Sequence, residues 1–228
     1  MIFDPLYFLF VGPALLLGLW AQFRIKSTYG KAAQLGAPLS GAAAARHILD
    51  SAGLHGVGIE QIGGHLSDHY DPRQRVLRLS PEVYGNRSLA AVGIAAHEAG
   101  HAIQHAGSYA PLVVRNAVVP IANIGSGAGL WMCIIGIFLT AKPLILAGVI
   151  LFATVVFFQL VNLPVEFNAS TRAKAQLVEL GIVPRREMVH VNKVLNAAAL
   201  TYVAATLQSM LTLLYFLMRS GLLGGNDD

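Results

Sequence analysis

Five consecutive residues, His97-Glu98-Ala99-Gly100-His101, combine two imidazoles four positions apart with a carboxylate beside the first. On a helix, residues at i and i+4 share a face, so both rings can reach one ion at about 2.0–2.1 Å. Glu98 projects next to His97 and can take a proton from water that such an ion acidifies, which is the pattern of zinc hydrolysis. Two unrelated helix-face histidines with an incidental glutamate are the plainer reading. The composition around them argues against it. Ala90, Ala91, Ala95, Ala96, Ala99 and Ala102 leave room for an ion and a substrate, and Glu98 is the only formally charged residue between Arg87 and Arg115. A carboxylate in so apolar a stretch is costly without a cation to pair it.

A catalytic zinc site needs a third protein ligand and an open position. His105 lies about 12 Å from His97 along the helix axis, too far to share its ion. A histidine at the metzincin spacing is ruled out because Gln104 and Gly107 occupy the positions of its Gly and His. Downstream carboxylates remain: Glu166, Glu179, Glu187, Asp227 and Asp228. Glu166 is preferred. It is expected in the first turn of a helix from Pro164 to Leu180, with Ala169, Ser170 and Ala173 on its own face, small enough for close approach to the histidine helix. A first-turn glutamate favoured by the helix dipole is the competing reading.

The elements that must position these groups follow from the pattern of charge. Apolar residues make up 55% of the 228-residue chain and charged ones only 12%, a composition that calls for lipid rather than water as solvent. Pro5–Phe23, Asn116–Ala141, Pro143–Val165 and Val194–Met218 carry no charge. Each is long enough to cross a hydrocarbon core of about 30 Å as a helix. The first is expected to be an uncleaved anchor, since an acidic start (Met1-Ile2-Phe3-Asp4) replaces a basic leader. The fold class is therefore a mainly α membrane protein, with about four transmembrane helices and a small α+β zincin-like cytoplasmic domain. Its expected segments are 1–23 (first span), 24–115 (catalytic domain), 116–163 (helical hairpin in the membrane), 164–193 (helix with the third ligand) and 194–228 (last span and short tail).

Of the sixteen Lys and Arg, nine lie between Arg24 and Arg115 and five between Arg172 and Lys193. Four spans bring both segments to one face, and the positive-inside rule makes that face cytoplasmic in a bacterial-type inner membrane. The net charge of +4 thus reports topology, and no nucleic-acid partner is expected. Cys133, alone in the second span, supports neither a disulfide nor a thiolate site.

Within the polar segments, Ser40 to Ala52 reads as a helix stopped by Gly53, and Val57–Ile59 and Arg75–Leu79 as strands, with a turn at Asp71-Pro72. Ser88 to His105 reads as a small-residue helix ended by Gly107. Gly125-Ser126-Gly127-Ala128-Gly129 is expected to pack against another span of the same chain. His65, His69 and Tyr70 are expected near the hairpin turn, lining a groove or capping the turn. His190 and Tyr202 are candidates to donate to an oxyanion, although a buried phenol at the membrane boundary explains Tyr202 equally well. Arg75–Leu79 is a candidate edge for pairing with an extended substrate.

Longer blocks carry a resemblance. Leu66–Pro72, Ala95–His105, Leu163–Ser170 and Val194–Ala204 resemble the YugP family of membrane zinc metallopeptidases, relatives of the HtpX-like gluzincins. The resemblance runs over nearly the whole chain. It implies Zn2+, a membrane location and a glutamate third ligand, which falls on Glu166. Ser170 departs from the wider gluzincin pattern, where an aspartate follows the ligand glutamate by four residues. A hydroxyl there can still orient a ligand histidine, but less strongly. The expected activity is hydrolysis of peptide bonds in membrane or cytoplasm-exposed protein substrates, with Glu98 as general base. A non-catalytic zinc scaffold keeps the metal without turnover, but leaves Glu98 without a purpose. A transporter lacks the ionisable relay within its spans.

Overall fold

The computed structural model describes residues 4–221. Asp227 and Asp228, with the outermost ends of the first and last expected segments, lie outside the described residues. The elements run α1 (Pro5–Ala33), α2 (Gly41–Ser51), β1 (Gly58–Gln61), β2 (His69–Asp71), β3 (Val76–Leu79), α3 (Pro81–Tyr84), α4 (Leu89–Ala106), α5 (Ala110–Ile124), a π-helical turn (Gly125–Gly129), α6 (Leu130–Phe138), α7 (Lys142–Glu179) and α8 (Met188–Arg219). They form two compact units. One gathers residues 4–20, 114–163 and 200–221; the other gathers 21–113 and 164–199.

The first unit is built for lipid. Four helical stretches among the described residues are long and apolar enough to cross a membrane: Pro5–Ala33, Ala110–Phe138, Lys142–Glu179 and Met188–Arg219. Their large apolar side chains face outward, Phe138 at 87% exposure and Leu9 at 71%, an arrangement that only an apolar surrounding makes favourable. Small residues bring α6 and α7 together. A Cβ added at Gly148 would lie 2.7 Å from the Cys133 nitrogen, and one at Gly129 would lie 3.0 Å from the Phe152 nitrogen. The glycine run therefore packs within the chain, as expected, and its backbone loosens into the π turn. At one end of the unit, the Tyr215 hydroxyl donates to Asp4 Oδ2 at 2.7 Å.

The second unit has a conventional core. Ile48 and Leu49 of α2, Leu77 and Leu79 of β3, Val83 of α3, and Val92, Ala95, Ala96 and Ala99 of α4 are buried together with Leu177 and Val191. Ser40 caps α2 by accepting from Ala43 N at 3.3 Å, and Ser88 caps α4 by accepting from Ala91 N at 3.2 Å. Gly107 closes α4. The sheet order is β1-β3-β2, with β1 parallel and β2 antiparallel to β3. Asp71 organises the β2–β3 turn. Its Oδ1 accepts from Arg73 N at 2.8 Å and Gln74 N at 3.2 Å, while Oδ2 pairs with Arg78 at 2.7 Å.

Two expectations change. Arg75–Leu79 becomes the central strand, so both its edges are occupied and it offers none to a substrate; the free edges belong to β1 and β2. His69 and Tyr70 lie in strand β2, which leads into the Asp71 turn, near which they were expected. Pro164 does not open a helix: α7 continues from Lys142 through it to Glu179. Proline lacks one N–H, but such a gap is tolerated where long helices are held by packing along their length. Gly181, at φ +64°, ends that helix region as expected.

Candidate metal centre

The site lies in the second unit, where α4 meets the segment of α7 beyond Pro164. Close approach is set by Gly100, one residue before His101. A Cβ at Gly100 would lie 2.6 Å from the Ala169 carbonyl oxygen, so only glycine lets the helices come this near. Ala169 and Ala173 are buried on the facing side of α7, as the small-residue face required.

Across that contact three ligand-type side chains converge. His97 Nε2 lies 3.2 Å from Glu166 Oε2, and His101 Nε2 lies 3.6 Å from the same oxygen. The donor atoms of all three fall within 4.8 Å of one another. Ligands held at about 2.1 Å in a tetrahedron stand about 3.4 Å apart, so the observed separations bracket what one ion requires. Glu166 is only 3% exposed. A carboxylate hidden to that degree requires a positive partner. The imidazoles and carboxylate together fit a borderline cation such as zinc better than a hard one, which prefers oxygen alone.

The far nitrogens of both imidazoles are also engaged. Ser170 Oγ lies 3.1 Å from His97 Nδ1, the orienting contact expected of that hydroxyl. His101 Nδ1 lies 3.0 Å from Gln104 Oε1. Burial pulls the His101 imidazole down, but its hydrogen bond to Glu166, the charges of Glu98 and Glu166, and the bond to Gln104 raise it overall. Glu98 is buried at 8% exposure on the same helix.

Other candidates fall elsewhere. His105 joins no metal set; its Nδ1 meets the Tyr70 hydroxyl at 2.8 Å. Glu179 accepts from Gln176, and Glu187 pairs with Arg186. His65 pairs with Glu82 at 3.5 Å, and His69 Nδ1 meets its neighbour Ser67's carbonyl oxygen at 2.8 Å. His190 is half-buried in the first turn of α8, and Tyr202 lies farther along that helix within the first unit. Sequence reasoning passed over Gln104 and Asn168. Gln104 Nε2 donates to Val165 O at 2.8 Å and to Asn168 Oδ1 at 3.0 Å. The only advance signal was a polar amide inside an Ala-rich helix, three residues past a candidate ligand.

Comparison with known proteins agrees with this geometry. A family model described as "Putative neutral zinc metallopeptidase" matches residues 7–221. The chain is 49% identical over 217 residues to "Putative membrane protease YugP" of Bacillus subtilis (strain 168), an alignment covering 94% of this chain and 96% of that protein. No solved structure matches the chain.

Proposed function

The chain belongs to the neutral zinc metallopeptidase family, and from that premise we propose that it is a gluzincin-type, membrane-embedded endopeptidase cutting membrane or cytoplasm-exposed proteins. In this reading His97, His101 and Glu166 hold the zinc and Glu98 is the general base. The observation that carries it is the convergence of two imidazole Nε2 atoms on one buried carboxylate oxygen, at 3.2 and 3.6 Å.

Zinc bound there supplies Lewis-acid chemistry, polarising a peptide carbonyl and bringing the pKa of water toward about 7. The chain's own residues do the rest. Glu98 takes a proton from water as the water oxygen bonds to the scissile carbonyl carbon. It returns that proton to the amide nitrogen as the C–N bond breaks, leaving an amine and a carboxylic acid that then ionises. His190, in the same unit as the metal site, remains our candidate donor to the oxyanion. We place the site on the cytoplasmic side and keep the segment boundaries expected from the charge pattern.

The test is cleavage of an unstructured polypeptide by the detergent-purified chain loaded with zinc, beside Glu98→Gln. Wild type should cut and a chelator should stop it. The variant should bind zinc at one per chain and lose at least 10²–10⁴-fold in rate, the usual contribution of a general base. Equal cleavage by both would overturn the assignment of Glu98.

A further inference from the structure

Gln104 has no exposed surface, yet the proposed chemistry does not use it. Its amide is committed at both ends. The nitrogen faces Val165 O at 2.8 Å, and a backbone carbonyl can only accept, so this end must be the NH₂. Asn168 agrees. Arg172 Nε lies 2.7 Å from Asn168 Oδ1, and arginine can only donate, so the atom that also receives Gln104 Nε2 at 3.0 Å is an oxygen. Gln104 Oε1 is therefore the atom left facing His101 Nδ1 at 3.0 Å, and an amide oxygen only accepts.

The neutral, ligating form of His101 must then carry its one proton on Nδ1, which leaves the Nε2 lone pair directed at the Glu166 side of the site. The contact at His97 does not have this property, because the Ser170 hydroxyl can donate or accept. We infer that Gln104 is a positioning residue: held by Val165 O and by the Arg172–Asn168 pair, it fixes His101 in the tautomer that ligates through Nε2. It also ties the helix of His101 to the backbone immediately before Glu166. The inference rests on the reading of His97, His101 and Glu166 as zinc ligands. A glutamine that only stapled two helices would hold their spacing without selecting a nitrogen.

The experiment uses the detergent-purified full chain and has two readouts. Zinc dissociation constants are measured for wild type, His101→Ala and Gln104→Met, with helical circular dichroism as the folding control. Nitrogen-15 NMR of histidine-labelled, zinc-loaded wild type then identifies which His101 nitrogen bears the proton. We expect the proton on Nδ1, and zinc binding about 10–100-fold weaker in Gln104→Met with its helicity intact, the usual cost of losing such a partner. Zinc bound through His101 Nδ1, or unchanged affinity in folded Gln104→Met, overturns the inference while leaving the ligands standing. If His101→Ala binds zinc as wild type does, the ligand reading itself fails and takes this one with it. Should Gln104→Met not fold, the position of the proton in wild type decides alone.

Discussion

The Glu166 carboxylate carries the electrostatics of the site. At 3% exposure it has lost nearly all its water, and the groups facing it are two imidazole nitrogens. Without zinc, a proton on His101 is the cation at hand, which is why that imidazole is held above its ordinary value despite burial. The consequence for pH has a definite sign. A raised folded-state value means that the protonated pair stabilises the metal-free protein below about pH 6.5. That contribution is lost as pH rises through the raised value. Zinc competes for the same nitrogen, so its affinity should be greatest above that value and should fall as pH falls. Once the proton is fully bound, the loss is about tenfold per pH unit for each proton displaced. Zinc titrations of the purified chain between pH 8 and pH 5.5 check this, and a flat profile would remove His101 from the ligand set. The shared face of His97 and His101 was legible because the i, i+4 rule turns two histidines directly into neighbours. The Gln104 network was not, since its partners Val165 and Asn168 lie more than sixty positions away and no local periodicity links them.

Helices α4 and α7 bring the three proposed ligands together across a close backbone contact. Gly100 faces the Ala169 carbonyl so closely that a Cβ would sit 2.6 Å from the oxygen. Gly100→Val should therefore force the helices apart. The strain should destabilise the second unit by about 1–3 kcal/mol, the usual cost of overfilling a packed contact. Zinc affinity should drop as well, because Glu166 moves with α7 while the histidines stay on α4. Thermal unfolding and a zinc titration on Gly100→Val test both; a variant with wild-type affinity would mean that the ligands adjust freely and that the close approach is incidental. Several elements could be read in advance from their ends: Ser40 and Gly53 bound α2, and Ser88 and Gly107 bound α4. Others could not. Strand β2 is only three residues long, below the length at which alternation can be recognised, and its pairing with β3 is fixed by the Asp71 turn. The interior place of Pro164 was hidden because proline just before a charged helix looks locally like a start. The helix nonetheless continues through it.

At the scale of the molecule, the chain joins an outward-facing apolar helical unit to a unit with an ordinary buried core, and α1, α5, α7 and α8 contribute residues to both. The membrane unit was legible from composition alone, since four long charge-free stretches in 228 residues have no other stable solvent. Sidedness is a separate matter of loop charge, and it can be tested directly. The second unit holds Arg24, Lys26, Lys31, Arg46, Arg73, Arg75, Arg78 and Arg87 from its first segment, and Arg172, Lys174, Arg185, Arg186 and Lys193 from its second. By the positive-inside rule we propose that both segments lie in the cytoplasm. Single cysteines at Glu60 and Arg186, two exposed side chains in that unit, report on them separately in a Cys133→Ser background. Both should resist a membrane-impermeant maleimide in intact cells and react in inverted vesicles. Labelling of both from outside would reverse the proposed orientation and place the candidate metal centre toward the periplasm or exterior. Labelling of one from each side would mean an odd number of crossings between them, so that Ala110–Phe138 and Lys142–Glu179 could not both span the bilayer.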